Sequence, residues 1–219
     1  MNVPYNNKYV EKIVYCEMEE LTSNIEGRYL LKVKLKNNFT ETLTIAMMNP
    51  SKADKDSSDE TVNKVIQFVY EMNSIKESEI NSIGYINIVN IFPAYEPNSG
   101  KVKDKLERIT EDDKLNLMQE RNKGAFKNAV SESHKVVLAW GDVPSKVKAK
   151  HHNHEAIMMY ELLIKYNLED KTFVIKYKEY EQILTKKKRP RHPSWNTPKS
   201  YVKVSNMNVS RNFLYLHLD

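Results

Sequence analysis

Four apolar runs constrain this 219-residue chain more than any other feature: residues 42–48 (TLTIAMM), 83–92 (IGYINIVNIF), 135–140 (KVVLAW) and 171–177 (KTFVIKY). A short run without polar alternation suits a strand covered on both faces, as in a parallel sheet. Parallel neighbours need crossover connections, and the segments between the runs supply them. Val62, Val65, Ile66, Val69 and Met72 recur at helical spacing, behind a Ser57/Glu60 pair spaced for a capping box. Residues 112–131 form a helix candidate with a thin apolar face, and residues 155–168 carry Ile157, Met158, Tyr160, Leu162 and Leu163. Ahead of these, residues 12–17 and 28–35 read as strands. In the second, Tyr29, Leu31, Val33 and Leu35 alternate with their neighbours, as in a sheet with one wet face. Strand alternating with helix gives an α/β fold: three layers, α/β/α, with a mainly parallel sheet of about four core strands, right-handed crossovers and extra antiparallel strands at the N-terminus. One domain spanning 1–219 is expected, with residues 196–219 as a tail packing on it.

Composition bounds the chemistry. Hydrophobic residues make up 40% and charged residues 29%, which suits a globular chain and not a disordered one. Five glycines leave no room for a Gly-rich phosphate loop, and neither dinucleotide-binding nor P-loop spacing occurs. The lone Cys16 has no internal disulfide partner, the N-terminus lacks an apolar leader, and no apolar run reaches membrane length, so a cytoplasmic chain without a membrane partner is expected. A net charge of +5 permits an anionic partner without requiring one. Clustering says more: residues 186–191 read Lys-Lys-Lys-Arg-Pro-Arg, directly before His192. Three histidines in residues 151–154 match no zinc pattern and read as a solvated helix start. No Ser-His-Asp or Cys-His arrangement stands out, which disfavours acyl transfer.

Each apolar run is followed by, or ends in, a polar segment: Asn49-Pro50-Ser51 with Asp54 after the first, Asn90 in the second, Trp140-Gly141 at the end of the third, and Arg191-His192-Pro193-Ser194 after the fourth. Ligands of parallel sheets bind beyond the carboxyl ends of the strands, so these four segments are expected on one rim. Asn87 and Asn90 lie inside a buried run, where an amide is costly unless partnered, which makes at least one of them a site candidate. Trp140 and Trp195 read first as packing residues, and Asp59 first as part of a helix start.

These segments, in this order, resemble the bacterial and phage family called domain of unknown function 1643. Its pattern corresponds to Arg28-Tyr29, Asn49-Pro50-Ser51-Lys52-Ala53-Asp54, Asp59-Glu60-Thr61, Asn90, Ala139-Trp140-Gly141 and Arg191-His192-Pro193, over about residues 28–195. More distantly, the layout is similar to the uracil-DNA glycosylase superfamily, with Asn49-Pro50, Asn87 or Asn90, Trp140-Gly141 and His192-Pro193-Ser194 in the corresponding places. Ser51 stands where the most active glycosylases carry an aromatic residue.

The resemblance implies a nucleic-acid base-acting protein, with N-glycosidic hydrolysis of a modified or damaged base as the reaction. Asn49, His192 and Asp54 would be the catalytic groups: His192 donating to the departing base, Asn49 orienting water, and Asp54, or in its place Asp59, supplying a carboxylate if the loop folds back. Pro50, Ser51, Asn87, Asn90, Trp140, Gly141, Arg191 and Ser194 would line the substrate, and Lys187, Lys188 and Arg189 would meet phosphates of DNA in preference to RNA. Trp195 could wedge or stack on nucleic acid. The expected cofactor is none, and no metal is expected. Two alternatives stay open: a non-catalytic nucleic-acid or nucleotide binder of a phage or of host defence, and a hydrolase of free nucleosides or nucleotides. An amide at Asn49 is a poor base, so a shared pocket is better implied than a shared reaction.

Overall fold

The computed structural model describes residues 3–22, 25–50, 52–94, 115–143, 149–194 and 196–218. They form a mixed α/β structure: one eight-stranded sheet and, among the described residues, three α-helices. In chain order the elements are β1 (Val10–Thr22), β2 (Ile25–Leu35), β3 (Glu41–Met47), α1 (Glu60–Met72), β4 (Ile83–Asn90), α2 (Leu115–Ser131), β5 (Lys135–Leu138), α3 (Ala149–Lys165), β6 (Thr172–Tyr177), β7 (Pro198–Ser210) and β8 (Phe213–Leu218). Across the sheet the order is β1-β2-β4-β3-β5-β6-β7-β8.

The four apolar runs become the four parallel strands β4, β3, β5 and β6. Antiparallel pairs extend the sheet on both sides: β2 and β1 beyond β4, β7 and β8 beyond β6. Residues 198–218 add two strands, whose half-wet sequence suits a sheet edge, and bury Val204, Met207, Leu214 and Leu216 in the core. The turn between them puts Arg211 and Asn212 at positive φ, 49° and 58°, as a tight hairpin requires.

Buried apolar side chains fall into two clusters. One holds Val62, Val65, Ile66, Val69 and Met72 of α1 together with Ile45, Met47, Ile86, Ile88 and Val137. The other holds residues of α2 and α3 with Ala46, Val89, Val136, Leu138 and Trp140. Alternate residues of one strand therefore enter different clusters, so the sheet has an α1 face and an α2/α3 face. The six buried apolar residues of α1, at about 2 kcal/mol each, hold that helix down. Its cap differs from expectation. Asp59, not Ser57, is the N-cap: its Oδ1 accepts the N–H groups of Thr61 and Val62 at 2.8 and 3.0 Å. Ser57 instead donates N–H and Oγ–H to Asp54, so the expected capping box is replaced by two turns in tandem.

The helix expected over 155–168 begins earlier, at Ala149, which places residues 151–154 within its first turns. The cluster is not uniformly solvated: His154 is exposed, while His152 is fully buried in series with Glu155, Ala156 and Met159. That i, i+3, i+4 spacing carries His152 on the packed stripe of α3.

From β3 the chain crosses through α1 to β4 on one side, then through α2 to β5 on the other. The strand order reverses between β3 and β5, and a crevice opens outside the carboxyl ends of the strands at such a point.

Candidate functional site at the C-terminal rim of the sheet

Pairing continues past the strand ends. Ile91 and Phe92 donate N–H to the Met47 and Met48 carbonyls, each at 2.8 Å, and Ala139 donates to Ala46 at 2.8 Å. Asn90 thus lies beside Met47, two residues before Asn49. Gly141 donates its N–H to Pro190 at 2.8 Å, which seats the segment after β6 on the end of β5. A Cβ on Gly141 would stand 2.9 Å from the Cβ of His192, and Gly141 has φ +78°. Glycine is required there twice over, for left-handed backbone and for the close approach of His192.

His192 is half-buried. Its Nδ1 accepts the Ser194 N–H at 3.1 Å and lies 2.8 Å from the Ser194 hydroxyl. Accepting a backbone N–H leaves the ring proton of the neutral imidazole on Nε2. Burial pushes the pKa down to about 4, and the negative charge of Asp59 opposes that shift only in part. Near neutral pH the ring is an uncharged Nε2–H donor.

The two buried asparagines of β4 part company. Ile86 and Ile88 face α1, and Val89 and Ile91 face α2 and α3. By the same alternation Asn90 is on the α1 face and Asn87 on the other. Asn87 donates Nδ2–H to Glu132 at 2.8 Å and toward the Ala129 carbonyl at 3.4 Å, tying β4 to the end of α2. Asn90 is fully buried, and neither its amide nitrogen nor its amide oxygen has a hydrogen-bond partner among the described residues.

Behind the rim lie charges. Arg28 is 1% exposed and donates from Nη1 to the Ala53 carbonyl. Tyr5 feels Arg28, Cys16, Asp54 and Asp59 together, which places these groups in one neighbourhood. Of the two carboxylates, Asp54 organises its own loop, accepting N–H groups of Asp56 and Ser57 at 2.8 Å each. Asp59 is the one that acts on His192. Arg28 draws no role from the sequence beyond its place in the family pattern, and Asp59 reads there first as part of a helix start and otherwise as an alternative carboxylate to Asp54. Both lie within segments shared with the family pattern; that Arg28 is buried and Asp59 faces the rim depends on how the 52–59 loop turns.

The remaining candidates divide. Pro50 is buried beside Asn49, whose Nδ2–H donates to the Pro50 carbonyl at 3.3 Å. Ser194 holds His192. Trp140 packs on the α2/α3 face, edge-on to His152 at 6.5 Å. Arg189 is buried: it bonds His152 Nδ1 and Asn153 Oδ1 and lies 4.8 Å from the Phe213 ring centroid. It does not join Lys187 and Lys188, which are exposed. Arg191 donates to the Gln182 and Leu184 carbonyls and stacks on Tyr180 at 3.6 Å, so it braces the preceding loop. Ser51 and Trp195 fall outside the described residues, as does most of the 93–105 loop.

His192 packs on Gly141 at the end of β5, Asn90 lies beside Met47 at the end of β3, and the charge of Asp59 acts on His192. A family model described as Protein of unknown function (DUF1643) matches residues 28–194, and the chain belongs to that family. No curated protein and no solved structure matches the chain. Among the described residues no helix is long and apolar enough to cross a membrane, and no group of three or more His, Cys, Asp or Glu side chains is placed to hold a metal ion.

Proposed function

We propose that the protein acts on nucleic-acid bases, with a three-layer architecture and a rim pocket of uracil-DNA-glycosylase type that receives one nucleobase turned out of its strand. The observation that carries this is Asn90. A buried amide with neither atom partnered costs about 1–3 kcal/mol for each group left unmade. A donor and an acceptor side by side match the edge of a base, which would satisfy both at once.

The reaction that fits is hydrolysis of the N-glycosidic bond. Water attacks C1′, the bond from C1′ to the base nitrogen breaks, and the base leaves with the bonding pair. His192 Nε2–H stabilises the charge growing on a base carbonyl oxygen, and a neutral donor does so without first giving up a proton. Asn49 orients the water, and Asp59, whose charge acts on His192, accepts its proton. DNA suits the reading in preference to RNA.

A second reading has its own support. Asp54 is committed to its loop and Asn49 is an amide, so the pocket can hold a base without cleaving it. The two separate in one assay. Labelled oligonucleotides carrying uracil, hypoxanthine or oxidised and alkylated bases are incubated with the protein and treated with alkali to break abasic sites. Base release that falls at least 100-fold in His192→Ala and Asn49→Ala is expected, a factor in the range of a lost transition-state donor, about 10²–10³. Binding without release across the panel selects the binder. Hydrolysis of free nucleosides with no oligonucleotide binding overturns both.

A further inference from the structure

The loop before His192 is built as a rigid basic knuckle. Thr185 N–H donates to the Arg189 carbonyl at 2.9 Å, and Lys188 N–H donates to the Thr185 carbonyl at 2.9 Å. The Thr185 hydroxyl accepts N–H from Lys187 and Arg189, each at 3.2 Å, and donates to Asp142 at 2.7 Å. Lys188 adopts φ +58°, and Leu184 bridges Pro190 to close the base. Underneath, the buried Arg189 guanidinium is bonded to α3 through His152 and Asn153. On top, Lys186, Lys187 and Lys188 are all exposed, and none of the three forms an ion pair among the described residues. A run of lysines that only solvates a surface needs no such scaffold.

We propose that the Thr185–Arg189 knuckle is a preorganised docking point for the phosphate backbone of a nucleic-acid strand, placed to hold the strand while one of its bases enters the rim pocket. Lys188 and His192 are four positions apart, a reach of at most about 14 Å, and the Gly141–Pro190 hydrogen bond pins the link between them. Three cations on a scaffold ordered before binding lose little freedom when they meet phosphates. This inference rests on the nucleic-acid reading of the pocket.

The test is fluorescence anisotropy with a labelled single-stranded DNA 15-mer across a salt series. Replacing Lys186, Lys187 and Lys188 together by Ala should weaken binding about tenfold or more and lower the slope of log affinity against log salt by about 2, at about 0.7 per phosphate contact. The control replaces Lys76, Lys165 and Lys171 by Ala. These are exposed at the opposite end of the sheet, so the charge change is equal. Thr185→Val keeps every lysine but removes the hydroxyl's bonds, and should weaken binding several-fold with the salt slope unchanged. Equal losses from both lysine triples would overturn the knuckle and leave nucleic-acid binding standing. Unchanged affinity in Thr185→Val would overturn its preorganisation. Binding to phosphatidylserine vesicles but to no oligonucleotide would overturn the knuckle and the nucleic-acid reading together.

Discussion

Each face of the sheet carries one buried asparagine of β4 and one neutral histidine, and the two sets are used differently. On the α2/α3 face, Asn87 donates its amide protons to Glu132 and toward Ala129, and His152 bonds the Arg189 guanidinium through Nδ1, while Asn87 Oδ1 and His152 Nε2 have no partner among the described residues. On the α1 face, neither atom of the Asn90 side-chain amide has a hydrogen-bond partner among the described residues, and the His192 ring is bonded on its Nδ1 side, to Ser194. Polar groups that bind their own fold stabilise it. Polar groups ordered by the fold but left unmatched are held ready for something else.

The sharpest way to break this contrast is through the histidines. His152→Leu removes an acceptor from a buried cation and should cost about 3 kcal/mol. His192→Leu, at the rim, should cost about 1 kcal/mol, the worth of one hydrogen bond. Urea midpoints at constant m-value measure both. The double variant His152→Leu with Arg189→Met should recover part of the first loss, because a buried pair replaced by apolar groups leaves no charge stranded. Similar costs at both histidines would mean that His192 is as structural as His152.

The asparagines sharpen the comparison with a difference in sign. Asn87→Leu should destabilise by about 1 kcal/mol, the worth of its bond to Glu132, since the Ala129 carbonyl keeps its bonds from Thr44 and Ser133 and Glu132 keeps its ion pair with Lys32. Asn90→Leu should be neutral or stabilising by about 1 kcal/mol, since it removes two unmatched polar atoms from the core. Oligonucleotide binding should respond in the reverse order, unchanged in the first variant and lost in the second. A destabilised Asn90→Leu would mean that the amide serves the fold.

Much of this division was legible before any coordinates, and the limits have physical causes. The parallel strands β3 to β6 announce themselves as unbroken apolar runs, and the chain direction of such strands sends the segments after them to one rim. Which of Asn87 and Asn90 faces the site follows from strand parity once the α1 face is known, but the face itself depends on which helix crosses where. Arg189 sits in a run of lysines and shares their composition. Its burial is decided by His152 and Asn153, more than 30 residues earlier in the chain. Asp54 and Asp59 occupy the same polar loop, and only the turn between them decides which carboxylate meets the rim. The hairpin β7–β8 stayed hidden because its strands are half-wet and their register is set by the neighbouring β6.

The same contrast predicts a pH dependence, smaller for any one-unit step than the cost of His152→Leu. Burial holds His192 down to about 4, and burial with the nearby Arg189 charge holds His152 down to about 3. Unfolded, both titrate near the ordinary value of about 6.5. As pH falls below that value the unfolded chain takes up protons that the folded chain refuses, so each histidine lowers stability on the acid side. Glu155 works against them. Burial raises its carboxyl to about 7 despite hydrogen bonds from Gln119 and Asn122, so its contribution is present in acid and lost as pH rises toward 7. Between pH 4.5 and 6.5 two histidines oppose one glutamate, and for these three groups stability should rise with pH by about 1.4 kcal/mol per unit, the worth of one proton. His192→Asn leaves one against one and should lower the measured slope by about that amount. A variant whose slope matches the parent would show that His192 is protonated as readily folded as unfolded, and the rim would then present a cation at mildly acidic pH where the proposed reaction uses a neutral donor.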